Sequence, residues 1–214
     1  MNPRIDLTLY LVTDRGLARG RSTAEVVREA VAGGATVVQL REKDVSTRAF
    51  LDEALELKRL LGPLGVTLVV NDRLDVALAC GAAGVHLGQD DLPCAVARRI
   101  AGPDVVIGVS VGTPGEARRA EANGADYLGV SPVFDTPTKT DAPRATGLDG
   151  LAAIRAATRL PLVAIGGLNV SNAADAVRAG ADGIAVVSAI VAAADPRAAA
   201  SALREAIRRG RVAP

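Results

Sequence analysis

Gly34-Ala35-Thr36-Val37-Val38-Gln39-Leu40 returns three more times in altered form. The other copies are Gly81-Ala82-Ala83-Gly84-Val85-His86-Leu87, Gly124-Ala125-Asp126-Tyr127-Leu128-Gly129-Val130 and Gly180-Ala181-Asp182-Gly183-Ile184-Ala185-Val186. In each, a Gly-Ala pair follows a helical pattern and precedes a short apolar run. Such a glycine reads as a left-handed helix cap that feeds a buried strand. The spacing between copies leaves room for one further strand and two helices. The repeating unit is therefore strand-helix-strand-helix, and four of them predict a closed (β/α)8 TIM barrel of the α/β class.

Strands are expected at about 7–12, 37–40, 67–70, 84–87, 105–109, 127–130, 162–165 and 183–187. They are short and rich in Val, Leu and Ile, as strands buried on both faces should be. Helices are expected at about 22–32, 47–61, 73–80, 93–100, 114–123, 148–157, 171–179 and 196–209. Ser22 with Glu25 has capping-box spacing, Ser46 and Ser171 suit N-caps, and Pro93 and Pro114 suit first helical turns. The 214 residues form a single domain with little room for insertions.

Composition narrows the function. Hydrophobic residues make up 49%, enough for a large core. A formal charge of +1 supplies no basic field for nucleic acid, and 2% aromatics leave no base-stacking platform. The longest apolar runs are strand-sized, far short of the roughly 20 residues of a membrane span. The opening residues lack a secretory apolar region. Cys80 and Cys94 have no metal-ligand spacing and read as reduced thiols, Cys80 at a helix end, so a cytoplasmic protein is expected. Of 25 basic residues only Lys43, Lys58 and Lys139 are lysine; Lys43 and Lys139 follow strands, where a compact ammonium has a use.

In such a barrel the chemistry lies past the carboxyl ends of the strands. Alternation after strand two puts Gln39, Arg41 and Lys43 towards the axis and Leu40 and Glu42 outwards, and two cations with an amide suit a phosphate or diphosphate. Asp72 after strand three, with Asp90 or Asp91 after strand four, has the composition of a magnesium site completed by substrate phosphate. Capping of the following helices is the competing use of these carboxylates. Asn71 and Ser110 offer polar groups near the centre. Gly166 and Gly167 after strand seven, and Val187 and Ser188 after strand eight, lie where this barrel usually holds a phosphate, although a tight turn alone would also use the two glycines. His86, the only histidine, reads first as a hydrogen-bonded core residue. The connection from Ser131 to Gly147 spans 17 residues, beyond the roughly 12–15 usual in compact domains, and is read as an active-site lid carrying Thr136, Pro137, Thr138 and Lys139. Two anion sites and a metal site without a strong base point to chemistry driven by a leaving group.

These residues resemble the thiamine phosphate synthase family. The resemblance rests on Tyr10-Leu11-Val12-Thr13-Asp14, Gln39-Leu40-Arg41-Glu42-Lys43, Asn71-Asp72, Val85-His86-Leu87-Gly88-Gln89-Asp90-Asp91, Gly108-Val109-Ser110, Thr136-Pro137-Thr138-Lys139, Gly166-Gly167 and Val187-Ser188, in order over nearly the whole chain. It implies a magnesium-dependent transferase of thiamine biosynthesis. The reaction joins 4-amino-5-hydroxymethyl-2-methylpyrimidine diphosphate to 4-methyl-5-(2-phosphoethyl)thiazole, or its carboxylated form, and releases diphosphate. The implied pyrimidine diphosphate contacts are Gln39, Arg41, Lys43, Asn71, Ser110 and Lys139, with Arg41, Lys43, Ser110 and Lys139 catalytic. Asp72 and Asp91 would bind Mg2+. Thr136, Pro137, Thr138, Gly167, Val187 and Ser188 would surround the thiazole phosphate. The implied mechanism is dissociative: diphosphate leaves, the aminopyrimidine stabilises the methylene cation and the thiazole nitrogen attacks. Partners are small molecules, with a homo-oligomer compatible. A related thiazole tautomerase would need neither the aspartates nor the Thr-x-Thr-Lys run; a non-catalytic binder of thiamine precursors would not need retained metal ligands.

Overall fold

Each Gly-Ala copy turns a helix into a strand. Gly34, Gly81, Gly124 and Gly180 take φ values of 105°, 63°, 87° and 111°, a range that glycine enters without steric cost. The computed structural model describes residues 5–136 and 145–212. The strands are β1 (Leu9–Val12), β2 (Val37–Leu40), β3 (Thr67–Asn71), β4 (Gly84–Leu87), β5 (Val106–Val111), β6 (Tyr127–Val130), β7 (Leu162–Ile165) and β8 (Gly183–Val186). All pair in parallel and in chain order, and β8 closes on β1 through Leu9↔Ile184, Tyr10↔Ala185 and Leu11↔Val186.

The helices are α1 (Thr23–Ala32), α2 (Thr47–Leu61), α3 (Leu74–Cys80), α4 (Cys94–Ala101), α5 (Pro114–Ala122), α6 (Gly147–Ala157), α7 (Ala173–Arg178), α8 (Ser188–Val191) and α9 (Pro196–Arg211). Ser22 and Glu25 close the capping box on α1, and Ser46 caps α2 by accepting from Ala49 N. Alternate strand residues serve two cores. Leu9, Leu11, Val38 and Leu40 pack outwards against the helices. Tyr10, Val12, Val37, Val69, Val106, Tyr127, Val163 and Ala185 fill the barrel itself.

Several boundaries differ from the sequence reading. Ser171 does not cap α7: its N–H and hydroxyl donate to Asn169 Oδ1 at 2.9 and 2.6 Å, and the helix starts two residues later behind Asn172. Pro93 stands at the N-cap of α4 with ψ 135°, one residue before the first turn, whereas Pro114 does begin α5. β1 begins at Leu9 rather than at Leu7, and β5 runs on to Val111, so Ser110 lies inside a strand instead of after it. β8 stops at Val186; Val187 and Ser188 open the short α8, which apolar periodicity over four residues cannot reveal. Cys80 ends α3, buried, its thiol donating to Ala77 O at 3.5 Å; both cysteines are free. Among the described residues, no helix is long and apolar enough to cross a membrane.

Candidate active site

A cavity of about 470 Å³ opens at the carboxyl ends of the strands. Gln39, Arg41 and Lys43 reach it from the end of β2, Asn71 and Asp72 from β3, Asp90 and Asp91 from the loop after β4, and Ser110 from β5. Thr136, Gly167, Val187 and Ser188 line its other side. Arg41 and Ser188, 147 positions apart in sequence, thus share one chamber, because parallel closure brings every strand end to the same rim. Pro137, Thr138 and Lys139 lie outside the described residues.

Asp72 is placed by an unusual backbone. It takes φ 62°, a left-handed conformation that costs a non-glycine residue about 1–2 kcal/mol and that Asp tolerates better than most. Its N–H donates to His86 O at 2.8 Å, extending the β3–β4 ladder by one rung before the chain bends away. Asp91 is fixed from β4: its Oδ2 accepts from Gly88 N at 2.7 Å. The carboxyl groups of Asp72 and Asp91 come within hydrogen-bond reach of each other. Burial first, then the hydrogen bond and charge of Asp91, push Asp72 from its ordinary 3.8 up to about 6, against the pull of Lys43 and Arg41. Two carboxylates crowded together beside two cations form a site short of positive charge between the acids. Among the described residues, no group of three or more His, Cys, Asp or Glu side chains could hold a metal alone. That donor set fits magnesium, which accepts one or two carboxylates and keeps the rest of its shell for water and phosphate oxygens.

Arg41 is steered by Thr13, whose Oγ1 accepts from Arg41 N at 3.0 Å, and by Asp14, 3.8 Å from Arg41 Nη1. Glu42 points away from the cavity towards Arg15, as the alternation predicts. Gln89 Nε2 donates to Ser110 O at 2.6 Å and ties the β4 loop to β5.

The two glycines after β7 have a structural use of their own. A Cβ on Gly166 would lie 2.6 Å from Pro132 Cβ, and one on Gly167 would lie 2.6 Å from Asp135 O. The start of the long connection runs over them, with Val133 N donating to Ile165 O and Phe134 N to Gly166 O at 2.9 and 3.1 Å. Their lack of side chains therefore admits the chain's own backbone, while Gly167 still faces the cavity.

The polar floor of the cavity escaped the sequence reading of the site. Tyr10 and Tyr127, the only tyrosines, sit side by side in the barrel floor, and His86 lies next to them. His86 is hydrogen-bonded, as the core reading holds, yet it also faces the cavity. Burial lowers its imidazole from 6.5 to about 4, so it is neutral at pH 7. Burial likewise pushes both phenols well above 10. A signal for the tyrosines did exist: a hydroxyl amid buried strands needs a polar partner.

A family model described as thiamine monophosphate synthase matches residues 9–190. The chain belongs to that family. It is 60% identical to a thiamine-phosphate synthase of Chloroflexus aurantiacus over 94% of this chain and 92% of that protein. It is 59% identical to one of Albidiferax ferrireducens, again over 94% and 92%. The solved thiamine phosphate pyrophosphorylase of Pyrococcus furiosus superposes with a TM-score of 0.90 at 44% identity, covering 97% of this chain and 98% of that one. A 3-hexulose-6-phosphate synthase with a TM-score of 0.72 and 20% identity shares the fold.

Proposed function

We infer that this site makes thiamine phosphate from 4-amino-5-hydroxymethyl-2-methylpyrimidine diphosphate and 4-methyl-5-(2-phosphoethyl)thiazole, releasing diphosphate. The observation that carries the reading is the Asp72–Asp91 pair beside Arg41 and Lys43 at the mouth of one chamber. Asp72 and Asp91 would hold Mg2+. When bound, the ion supplies positive charge to the departing diphosphate.

Arg41 and Lys43 bind the diphosphate oxygens and, with Lys139 by its place in the sequence, take up negative charge as the carbon–oxygen bond breaks. Both electrons of that bond leave with diphosphate, and the electron-rich aminopyrimidine carries the resulting methylene cation. Gln39, Asn71 and Ser110 orient the pyrimidine. Thr136, Gly167, Val187 and Ser188, with Pro137 and Thr138 in the connection, hold the thiazole phosphate so that its ring nitrogen attacks the cation. The 131–147 connection closes over both substrates as a lid. A neutral, weakly basic His86 and two un-ionised phenols suit a reaction that needs no strong base.

Incubating the purified protein with both substrates tests this. Thiamine phosphate should form with magnesium, cease on chelation and return when magnesium is restored. Isomerisation of the thiazole phosphate without consumption of the pyrimidine, or product formation indifferent to chelator, would overturn the reading. Running the carboxylated thiazole phosphate in parallel identifies which form the site accepts.

A further inference from the structure

Beneath the cavity, five polar side chains from five strands make an unbroken line across the barrel. Gln39 Nε2 donates to Tyr10 Oη at 2.8 Å. Tyr10 Oη lies 2.9 Å from Tyr127 Oη. Tyr127 Oη lies 3.0 Å from His86 Nδ1, and His86 Nε2 lies 2.9 Å from Ser110 Oγ. The backbone makes room for it. A Cβ on Gly108 would lie 2.1 Å from Tyr127 Cζ, and one on Gly129 would lie 3.0 Å from His86 Cε1.

With the Gln39 amide nitrogen as donor, the proton count in this line has one solution. Tyr10 accepts from the Gln39 amide, so its single hydrogen goes to Tyr127. Tyr127 then accepts from Tyr10, so its hydrogen goes to His86 Nδ1. A neutral imidazole that accepts at Nδ1 carries its hydrogen on Nε2 and donates it to Ser110 Oγ. Ser110, already an acceptor from His86, turns its own hydrogen elsewhere, and it lines the cavity. A break in the order would set two donors or two acceptors face to face in a buried site, so the line holds one direction as a unit.

We propose that Gln39, Tyr10, Tyr127 and His86 are positioning residues that fix the His86 Nε2–H tautomer and thereby present the Ser110 hydroxyl to the pyrimidine substrate as a hydrogen-bond donor. That Ser110 meets a pyrimidine rests on the function inferred above; the order of protons in the line does not. Both ring nitrogens of His86 face hydroxyl oxygens, at 3.0 and 2.9 Å, and the neutral imidazole satisfies the two of them with one hydrogen. With the Gln39 amide turned over, every bond in the line would reverse. Ser110 would then donate to His86 and offer the substrate lone pairs only.

The chain has one histidine, so its imidazole 15N signals need no assignment. The full-length, ligand-free protein labelled with 15N-histidine should show a protonated Nε2 and a bare Nδ1 at pH 7. An Nδ1–H tautomer, or an even average of the two, would overturn the proposal without any variant. Tyr10→Phe removes one oxygen and cuts Gln39 off from His86. It should convert the single tautomer into a mixture, with kcat lowered about fivefold, the equivalent of one hydrogen bond of about 1 kcal/mol, and KM for the thiazole phosphate unchanged. A folded Tyr10→Phe protein that keeps the pure Nε2–H form would also overturn it. The spectrum and the magnesium assay fail separately. A protein with the right tautomer and no product refutes the assigned reaction, and product with the wrong tautomer refutes the relay.

Discussion

Asp72 combines a left-handed backbone, burial and a carboxylate neighbour, and each has a measurable consequence. Its folded pKa of about 6 exceeds the ordinary 3.8, so the folded chain keeps a proton that the unfolded chain has released. This group's contribution to stability therefore falls as pH rises from about 4 to about 6. His86 acts with the opposite sign. Its folded value of about 4 lies below the ordinary 6.5, so the unfolded chain takes up the proton first and stability falls as pH drops through that window. In the ligand-free protein the two slopes oppose each other. Asn tolerates the left-handed conformation nearly as well as Asp, so Asp72→Asn should fold normally while losing more than about 100-fold in turnover. In chelator, the variant should melt above the wild type at pH 7 and lose that advantage by pH 4, with a steeper acid loss of its own. Thermal melts across that range check this; a constant difference at every pH would remove the Asp72–Asp91 crowding from the account.

At the scale of elements, β5 and β6 are shaped by what they leave out. Gly108 gives up a side chain so that Tyr127 can cross the barrel, and even one added methyl there would overlap the ring. Gly108→Ala should cost roughly 3 kcal/mol or more, since backbone and ring must both move. Ser46→Ala removes the N-cap of α2 at the surface and should cost about 1 kcal/mol with activity unchanged. Urea midpoints and turnover of the two variants give the comparison. These elements also mark where sequence could be read and where it could not. The Ser22 box, the Ser46 cap and the four Gly-Ala returns depend on local chemistry and stand where the pattern puts them. Ser171, Pro93 and α8 were misread or missed because one or two residues of slack at a helix start are decided by tertiary contacts. Gln39, Arg41 and Lys43 follow strand parity and so were legible. The barrel floor was not, because whether Tyr10 meets Tyr127, 117 positions away, is fixed by closure across the barrel and leaves no local pattern.

For the whole molecule, the net charge of +1 conceals a separation of charge at the mouth. Arg41 and Lys43 would attract a diphosphate, while Asp72 and Asp91 in the same chamber would repel it. A divalent cation between the acids would turn their repulsion into attraction, so metal and diphosphate should each strengthen the other's binding. Thermodynamic linkage requires the two effects to be equal. Calorimetric titration of diphosphate with and without magnesium, and of magnesium with and without diphosphate, should give the same factor both ways once the complex they form in water is subtracted. A factor of about 10 or more is expected, within the usual range of such couplings. In Asp72→Asn the factor should fall towards one, while diphosphate alone binds no more weakly than to the wild type, because one repelling charge has gone. A variant that keeps the full coupling would place the metal away from Asp72, and the two carboxylates would then need another explanation for sharing so small a space.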